Sequence, residues 1–334
     1  MSGTIQKGKV LVGVAKQSAQ GVPAASAAYA HALSGGKPVS VDIEQEPLEV
    51  TSGSRERSGA MRKGVAPSFG AITFPAYVRS IGLYLLGAFG SVVNAGVAGA
   101  YTHTYAPGDA LPYLTAWSLF DTEYQQLSDV KVGEFGLSWE GHDPLEASVT
   151  GPACAIDPNL AAAWDLPSGE DDESASDAVL IPTGGVFKIA AAGDAPATAI
   201  ITGGEVKVTN DLESVPNSAS LLPGLQAEKM VAIETSLKVV PEDLALWRTI
   251  LTGSPSGTTV QETVAYGSFE LEFKEYGAGG GKLNLRAHRV AFLCDFPDAD
   301  PAGGYAELDM AGVCFKDASH AGVVPVLTNE VELY

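Results

Sequence analysis

Residues 72–91 read ITFPAYVRSIGLYLLGAFGS, and residues 237–254 read LKVVPEDLALWRTILTGS. Each stretch begins with a short apolar run that is typical of a β-strand. A proline follows, then an apolar segment of helix length, and then a glycine. The same order of features stands twice in one chain, so we predict that each stretch forms a strand followed by one helix.

The ends of the two predicted helices are marked by prolines and glycines. Pro75 and Pro241 follow the strand-like runs, and proline is best tolerated in the first turn of a helix. Gly90 and Gly253 follow the apolar segments, where a left-handed residue commonly ends a helix. We therefore predict that the prolines lie in the first helical turns and that the glycines cap the helices.

The first predicted helix is apolar on nearly every side between Ile81 and Phe89. A helix of this kind needs burial around most of its circumference, in a core or against a neighbouring molecule. It is much shorter than the ~20 apolar residues that cross a bilayer. The helix side chains that we predict to be buried are Ile81, Leu85, Leu86, Phe89, Leu246 and Ile250.

Sequence around the two helices repeats as well. Residues 37–44 and 204–211 both alternate apolar and polar side chains, as half-buried strands do. Residues 132–156 and 288–317 each read as a β-hairpin. We therefore predict a mainly β fold, in which a β-sandwich or barrel-forming domain with one flanking helix is duplicated in tandem.

The predicted boundary between the two copies is acidic and rich in serine. It contains DLPSGEDDESASD (165–177), which is typical of a solvated linker. We assign residues 1–160 to the first domain, residues 161–177 to the linker and residues 178–334 to the second domain. A chain of 334 residues is long enough for two domains of ordinary size.

The composition is acidic and poor in charge. The net charge is −20 and only 18% of the residues are charged, below the roughly 25% of average soluble proteins. Tight binding to nucleic acid depends on lysine and arginine, so this composition argues against it. A low charged fraction is typical of a protein whose surface is covered by neighbours, although a secreted β-protein shares it.

Charge is distributed unevenly along the chain. Residues 1–64 contain eight basic and five acidic side chains, and the basic ones concentrate in a glycine-containing loop at residues 51–64, as Arg55, Arg57, Arg62 and Lys63. Strand 39–46 alternates apolar residues with Ser40, Asp42, Glu44 and Glu46, so one of its faces is acidic. A basic N-terminal segment on an otherwise acidic chain favours contact between copies of the chain. The alternative is that this segment is a solvated arm without a partner.

We find no motif that carries chemistry. The three cysteines lack CxxC spacing, and the five histidines are scattered. The segment GAGGGK (277–282) departs from a phosphate-binding loop in its spacing and in Leu283, which stands where that loop has Ser or Thr. The start of the chain lacks the apolar core of a signal peptide. We therefore predict no catalytic residue, no cofactor, no metal and no membrane partner, and synthesis in a reducing cytoplasm.

Three phrases carry a resemblance to a known family. They are VTSGSRERSGAMRKGVAPSFGAITFPAYVRSIGLYLLGAFGS (50–91), YTHTYAPGDALPYLTAW (101–117) and VKVGEFGLSWEGHDPLEASVTG (130–151). In wording and order they resemble the tail tube proteins of tailed bacteriophages. The resemblance implies rings of β-sandwich domains that stack into a tube and conduct the genome without binding it tightly. It also implies location in the virion tail, assembly in the host cytoplasm, and partners such as the tape measure, tail terminator and distal tail proteins.

The resemblance also implies roles for the repeated segments and for the charged segments. Two domains in each chain imply that three chains form the circumference of six domains; alternatively, one half builds the ring and the other decorates it. The basic loop is expected to contact an acidic surface of the adjacent ring, and Asp42, Glu44 and Glu46 are expected to face the lumen. The rival functions are a secreted or surface β-sandwich binding module, and an enzyme whose site residues meet only in space.

Overall fold

A computed structural model describes residues 10–47, 60–121, 123–160, 178–191, 196–277, 279–297 and 306–334, and most of these described residues lie in strands. The elements up to residue 160 are β1 (Val10–Lys16), β2 (Tyr29–Ala32), β3 (Gly35–Gly36), β4 (Ser40–Pro47), β5 (Ala60–Pro75), α1 (Ser80–Phe89), β6 (Gly90–Val97), β7 (Ala100–Pro107), β8 (Leu114–Phe120), β9 (Glu123–Val130), β10 (Glu134–Glu140), β11 (Glu146–Pro152) and β12 (Ala155–Asp157). The predicted mainly β fold is confirmed.

The remaining elements begin at residue 180. They are β13 (Leu180–Ile181), β14 (Phe187–Ala190), β15 (Ala197–Thr198), β16 (Ile200–Val215), β17 (Leu225–Val240), α2 (Ala245–Thr252), β18 (Tyr266–Glu275), β19 (Lys282–Cys294), β20 (Leu308–Cys314) and β21 (Val324–Asn329). The predicted hairpins correspond to the antiparallel pairs β10–β11 and β19–β20. Within the described ranges, no helix is long and apolar enough to cross a membrane.

Both helices end as predicted and begin later than predicted. Gly90 and Gly253 adopt left-handed conformations, with φ of 88° and 70°, just past α1 and α2. The prediction for the prolines is wrong. Pro75 is the last residue of β5, opposite Glu146, and Pro241 lies four residues before α2. The residue before a proline favours extended backbone, so each strand continues up to its proline and the helix starts one turn later.

The two halves of the chain contain the same seven antiparallel pairings. In the first half they are β1–β2, β1–β8, β8–β9, β9–β12, β10–β11, β11–β5 and β5–β4. In the second half they are β14–β15, β14–β18, β18–β19, β19–β21, β19–β20, β20–β17 and β17–β16. The long strand β19 thus takes the place of both β9 and β10.

The two halves are joined edge to edge. Seven residues of β10 pair with β16, and β21 pairs with β7. The result is a continuous run of eight strands in the order β4-β5-β11-β10-β16-β17-β20-β19, which we call the eight-strand run. The proposed division at residues 160 and 178 stays a prediction, and the linker 161–177 lies outside the described residues.

One face of the eight-strand run packs into a single apolar core that draws on both halves. Ile72 and Phe135 of the first half and Val208 and Leu237 of the second are all buried there. Helix α1 packs against this face, and all ten of its residues are buried. Gly87 allows the close approach, because a Cβ atom there would lie 2.7 Å from the Val132 side chain. The core side of the run is therefore fixed, and its other face is largely polar.

Candidate assembly surface

The face of the eight-strand run that points away from the core is polar and mainly acidic from β4 to β17, and it becomes apolar at β20 and β19, where Val313 and Leu293 are exposed. Strand alternation and register put one set of side chains on this face. Its acidic members include Glu134, Glu140, Glu146, Glu205, Glu234 and Asp309, and its lysines include Lys207 and Lys238. Lys207 on β16 lies 3.1 Å from Glu134 on the adjacent strand β10, and Lys238 on β17 reaches across β16 to within 3.7 Å of Glu140 on β10. An excess of carboxylates therefore remains on this face.

The predicted lumen residues and part of the predicted inter-ring loop lie on one hairpin. Asp42, Glu44 and Glu46 are exposed on β4, and Arg62 and Lys63 lie on β5 directly beside them, in a strand rather than a loop. Lys63 forms a salt bridge with Glu46, and a hydrogen bond with that carboxylate raises the pKa of the ammonium. Arg55 and Arg57 lie outside the described residues. The structure thus brings two predicted sites together on one strand pair.

The far end of this hairpin is exposed on both faces. We call residues 42–47 and 60–65 the first arm. Beside the acids of β4, Val41 is 39% exposed and Ile43 is 42% exposed, and Met61 on β5 is 49% exposed. The outer edge of β4 has no strand partner among the described residues. An edge strand that has no partner in the isolated chain is suited to pairing with another strand.

The corresponding part of the second half is not bare. We call residues 211–230, at the far end of β16 and β17, the second arm. It lies against the first half, where Glu228 accepts a hydrogen bond from the Leu111 amide at 2.9 Å and Gln20 donates to the Gly224 carbonyl at 2.8 Å. Val65 of the first arm also donates to the Leu221 carbonyl. The second arm therefore covers part of the first half.

Lys131 anchors the second arm and gave no signal in the sequence. Its side chain is 5% exposed, and its Nζ lies 2.6 Å from Glu228 and 2.9 Å from the Gln226 carbonyl. The ammonium also lies 4.5 Å from the centre of the Tyr113 ring. The partners are 97 residues apart, and no local pattern links residues at that separation.

We expect Glu228→Gln to lower the free energy of unfolding by about 2 kcal/mol, because it leaves a buried ammonium without its counter-charge. The loss is smaller than for a fully buried pair, because the Glu228 side chain is 27% exposed. Urea unfolding of the unassembled chain measures it. Glu134→Gln is the matched control, since both members of its pair with Lys207 are well exposed and we expect less than about 1 kcal/mol. Equal effects of the two variants would contradict this account.

A second polar contact between the halves also escaped sequence reasoning. His103 on β7 is buried, with its ring nitrogens 2.6 Å from Asn94 Oδ1 and 3.0 Å from Asn329 Oδ1. Asn329 Nδ2 in turn donates to the Tyr334 hydroxyl and to the Val78 carbonyl. Burial lowers the pKa of His103. The YTHTY segment (101–105) lies in β7, an inner strand that pairs with β6 on one side and with β21 on the other.

The predicted buried helix residues differ between the two helices. Ile81, Leu85, Leu86 and Phe89 of α1 are all at most 3% exposed. Leu246 and Ile250 of α2 are half-buried and pack on the edge of the same core. Helix α1 is thus enclosed, whereas α2 keeps one side open at the surface.

Few of the described residues have the reactivity or the grouping that catalysis or metal binding requires. Burial raises the pKa of the Cys294 thiol to about 11 and that of Cys314 to about 12, which makes both poor nucleophiles at neutral pH. No group of three or more histidine, cysteine or acidic side chains among them is arranged to hold a metal ion. The prediction that the chain has no catalytic or cofactor role stays a prediction.

Comparison with known proteins identifies the family of the chain. No individual curated protein matches the chain. The family model described as phage tail tube protein matches residues 8–292, which is most of the sequence. The chain therefore belongs to the phage tail tube protein family, a family of structural components of the virion tail.

Proposed function

We propose that three copies of this chain close into a ring, and that such rings stack into the tube through which the phage genome leaves the virion. The observation that carries the proposal is the repeated set of seven pairings, with the halves joined edge to edge through β10 and β16. One chain then supplies two successive sectors of a ring. The repetition supports a tandem duplication, with residues 1–160 and 178–334 as its two copies.

In the proposed ring, the polar face of the eight-strand run lines the channel. The opposite face is committed to the core, and a closed ring of such runs has no free sheet edges. The carboxylates repel the phosphates of DNA, so the genome slides rather than binds. Asp42 and Glu44 support this arrangement, because they project from the same side of β4 as Ser40, opposite the apolar Val41 and Ile43. Glu46 is neutralised in part by Lys63.

Stacking between rings involves the basic residues near the first arm. We propose that Arg55, Arg57, Arg62 and Lys63 contact an acidic surface of the next ring. The rest of the chain supplies such surfaces, because residues 65–334 carry 35 acidic and 12 basic side chains. In this arrangement the tape measure protein occupies the lumen, and the terminator and distal tail proteins bind the two ends of the tube.

We expect a single released ring to weigh about 103 kDa, the mass of three 34.4-kDa chains. The measurement is native mass spectrometry of rings released from tubes at low protein concentration, with electron microscopy to confirm their shape. A mass of about 206 kDa would mean six chains in each ring and would contradict the trimer. It would then favour the alternative in which one half builds the ring and the other half decorates its outside.

A further inference from the structure

Strand β10 is paired on both of its sides, but the corresponding part of β19 is paired on one side only. Strand β10 pairs with β16 on the side that faces away from β11. Strand β19 takes the place of β10, yet β18 pairs with it only as far as Ala291. Beyond that residue, the side of β19 that faces away from β20 has no strand partner among the described residues. We call residues 292–294 the open edge.

The surface around the open edge is apolar and exposed, whereas the corresponding surface of the first half is covered by the second arm. In the first half, Leu111 and Cys154 are 8% and 5% exposed, and Gln226 and Glu228 of the second arm contact them. The pairings common to both halves make Val264 and Phe315 the corresponding residues of the second half. These two are 57% and 43% exposed. Leu293 at the open edge is 73% exposed. The second half therefore lacks the cover that the second arm gives the first.

The strand that corresponds to β16 is β4. A salt bridge stands at the same place in each arm, between Glu46 and Lys63 in the first and between Glu213 and Lys229 in the second. Counting four residues back from each glutamate makes Asp42 the counterpart of Thr209. Strand β4 also has the bare edge and the exposed apolar side chains that a pairing strand needs.

The occupant of the open edge is a second copy of the chain. The eight-strand run has β4 at one end and β19 at the other, and these two edges do not pair with each other among the described residues of one chain. On the basis of the proposed ring, we infer that β4 and the first arm of one copy dock on the open edge of the next copy, as β16 and the second arm dock on the first half within each chain. Val264 and Phe315 are then covered, and the backbone edge of β19 at Leu293 is paired.

The same comparison sets the register of this contact. Glu134 pairs with Thr209 across the internal joint and precedes Phe135, whose side chain enters the core. Leu293 holds the position of Glu134, because it precedes Cys294, whose side chain also packs against the core. Asp42 of one copy therefore lies directly opposite Leu293 of the next.

A disulfide tests the contact and its register together. Residues directly opposite in an antiparallel pair have Cα atoms about 4.5–5.5 Å apart, within the range that a disulfide bridges. We expect assembled rings of Asp42→Cys/Leu293→Cys, in a Cys294→Ser background, to give covalent dimers and trimers on oxidation. The matched control is Glu44→Cys/Leu293→Cys in the same background. It shifts the register by two residues, to about 7–8 Å, and should cross-link several-fold less.

The outcomes separate this inference from the proposed ring. Rings that form but do not cross-link through residues 42 and 293, or that cross-link equally in the control, overturn the contact and leave the ring standing. If the unaltered chain forms no ring, the proposed function and the contact both fail. If the double variant does not assemble, Val41→Cys decides in its place, because the inferred register puts residue 41 opposite the native Cys294. Unlinked rings of that variant overturn the contact.

Discussion

Leu85→Ala is expected to lower the free energy of unfolding by about 3–5 kcal/mol, the largest effect that we expect from one substitution in this chain. Leu85 is fully buried on α1, which is enclosed by strands of both halves, including β2, β7, β10 and β16. Strands on several sides hold the space open, so the cavity left by alanine cannot collapse. Urea unfolding of the unassembled chain at neutral pH measures the loss.

The second helix provides the matched control for this experiment. Leu246 is the same residue type on α2, but it is half-buried at the edge of the core. We expect Leu246→Ala to cost about 1–2 kcal/mol, because less apolar surface is returned to water and the exposed side can rearrange. Equal losses in the two variants would show that α1 is not the more enclosed helix.

The features of the two helices that could be predicted are those that depend on residues close in sequence. Gly90 and Gly253 end their helices because left-handed backbone suits glycine. The apolar circumference of α1 predicted its burial for a similar reason. The prediction that Pro75 lies in the first turn of α1 was wrong, because proline fits both the first turn of a helix and the end of a strand. Only the pairing of β5 with β11 distinguishes the two, and that pairing is remote in sequence.

The joint between the halves could not be predicted in the same way. Period-two alternation tells which side chains of β10 and β16 share a face, but it does not name the partner strand. The ion pair of Lys131 and Glu228 depends on that partner, and so does the difference in exposure between Cys154 and Phe315. The repeat visible in the sequence predicted two similar units; only the strand order shows which of their edges are occupied.

Acid is expected to destabilise the chain through His31. This histidine on β2 is fully buried beneath α1, with its ring 4.2 Å from Phe74 and its Nε2 atom 2.8 Å from the Tyr84 hydroxyl. Burial lowers the pKa of His31 from 6.5 to about 4. The ionisable groups packed around the ring are the phenols of Tyr77 and Tyr84, which are uncharged in acid and offer no counter-charge.

The direction of the pH effect follows from the lowered pKa. The unfolded chain binds a proton at His31 at a higher pH than the folded chain does. The stability contribution of the neutral ring is therefore fully present above pH 6.5, and it is lost as the pH falls towards about 4. The shift corresponds to a loss of about 3 kcal/mol across this window. Urea unfolding of the unassembled chain at several pH values between 7.5 and 4 measures it.

His31→Gln isolates this contribution, because its amide can accept the Tyr84 hydroxyl hydrogen bond but does not titrate. We expect the variant to be less stable than the natural chain at pH 7.5, and to lose about 3 kcal/mol less between pH 6.5 and 4. His142→Gln, at an exposed turn between β10 and β11, is the matched control and should follow the natural pH curve. Parallel curves for His31→Gln and the natural chain would mean that His31 is not the group whose protonation opposes folding.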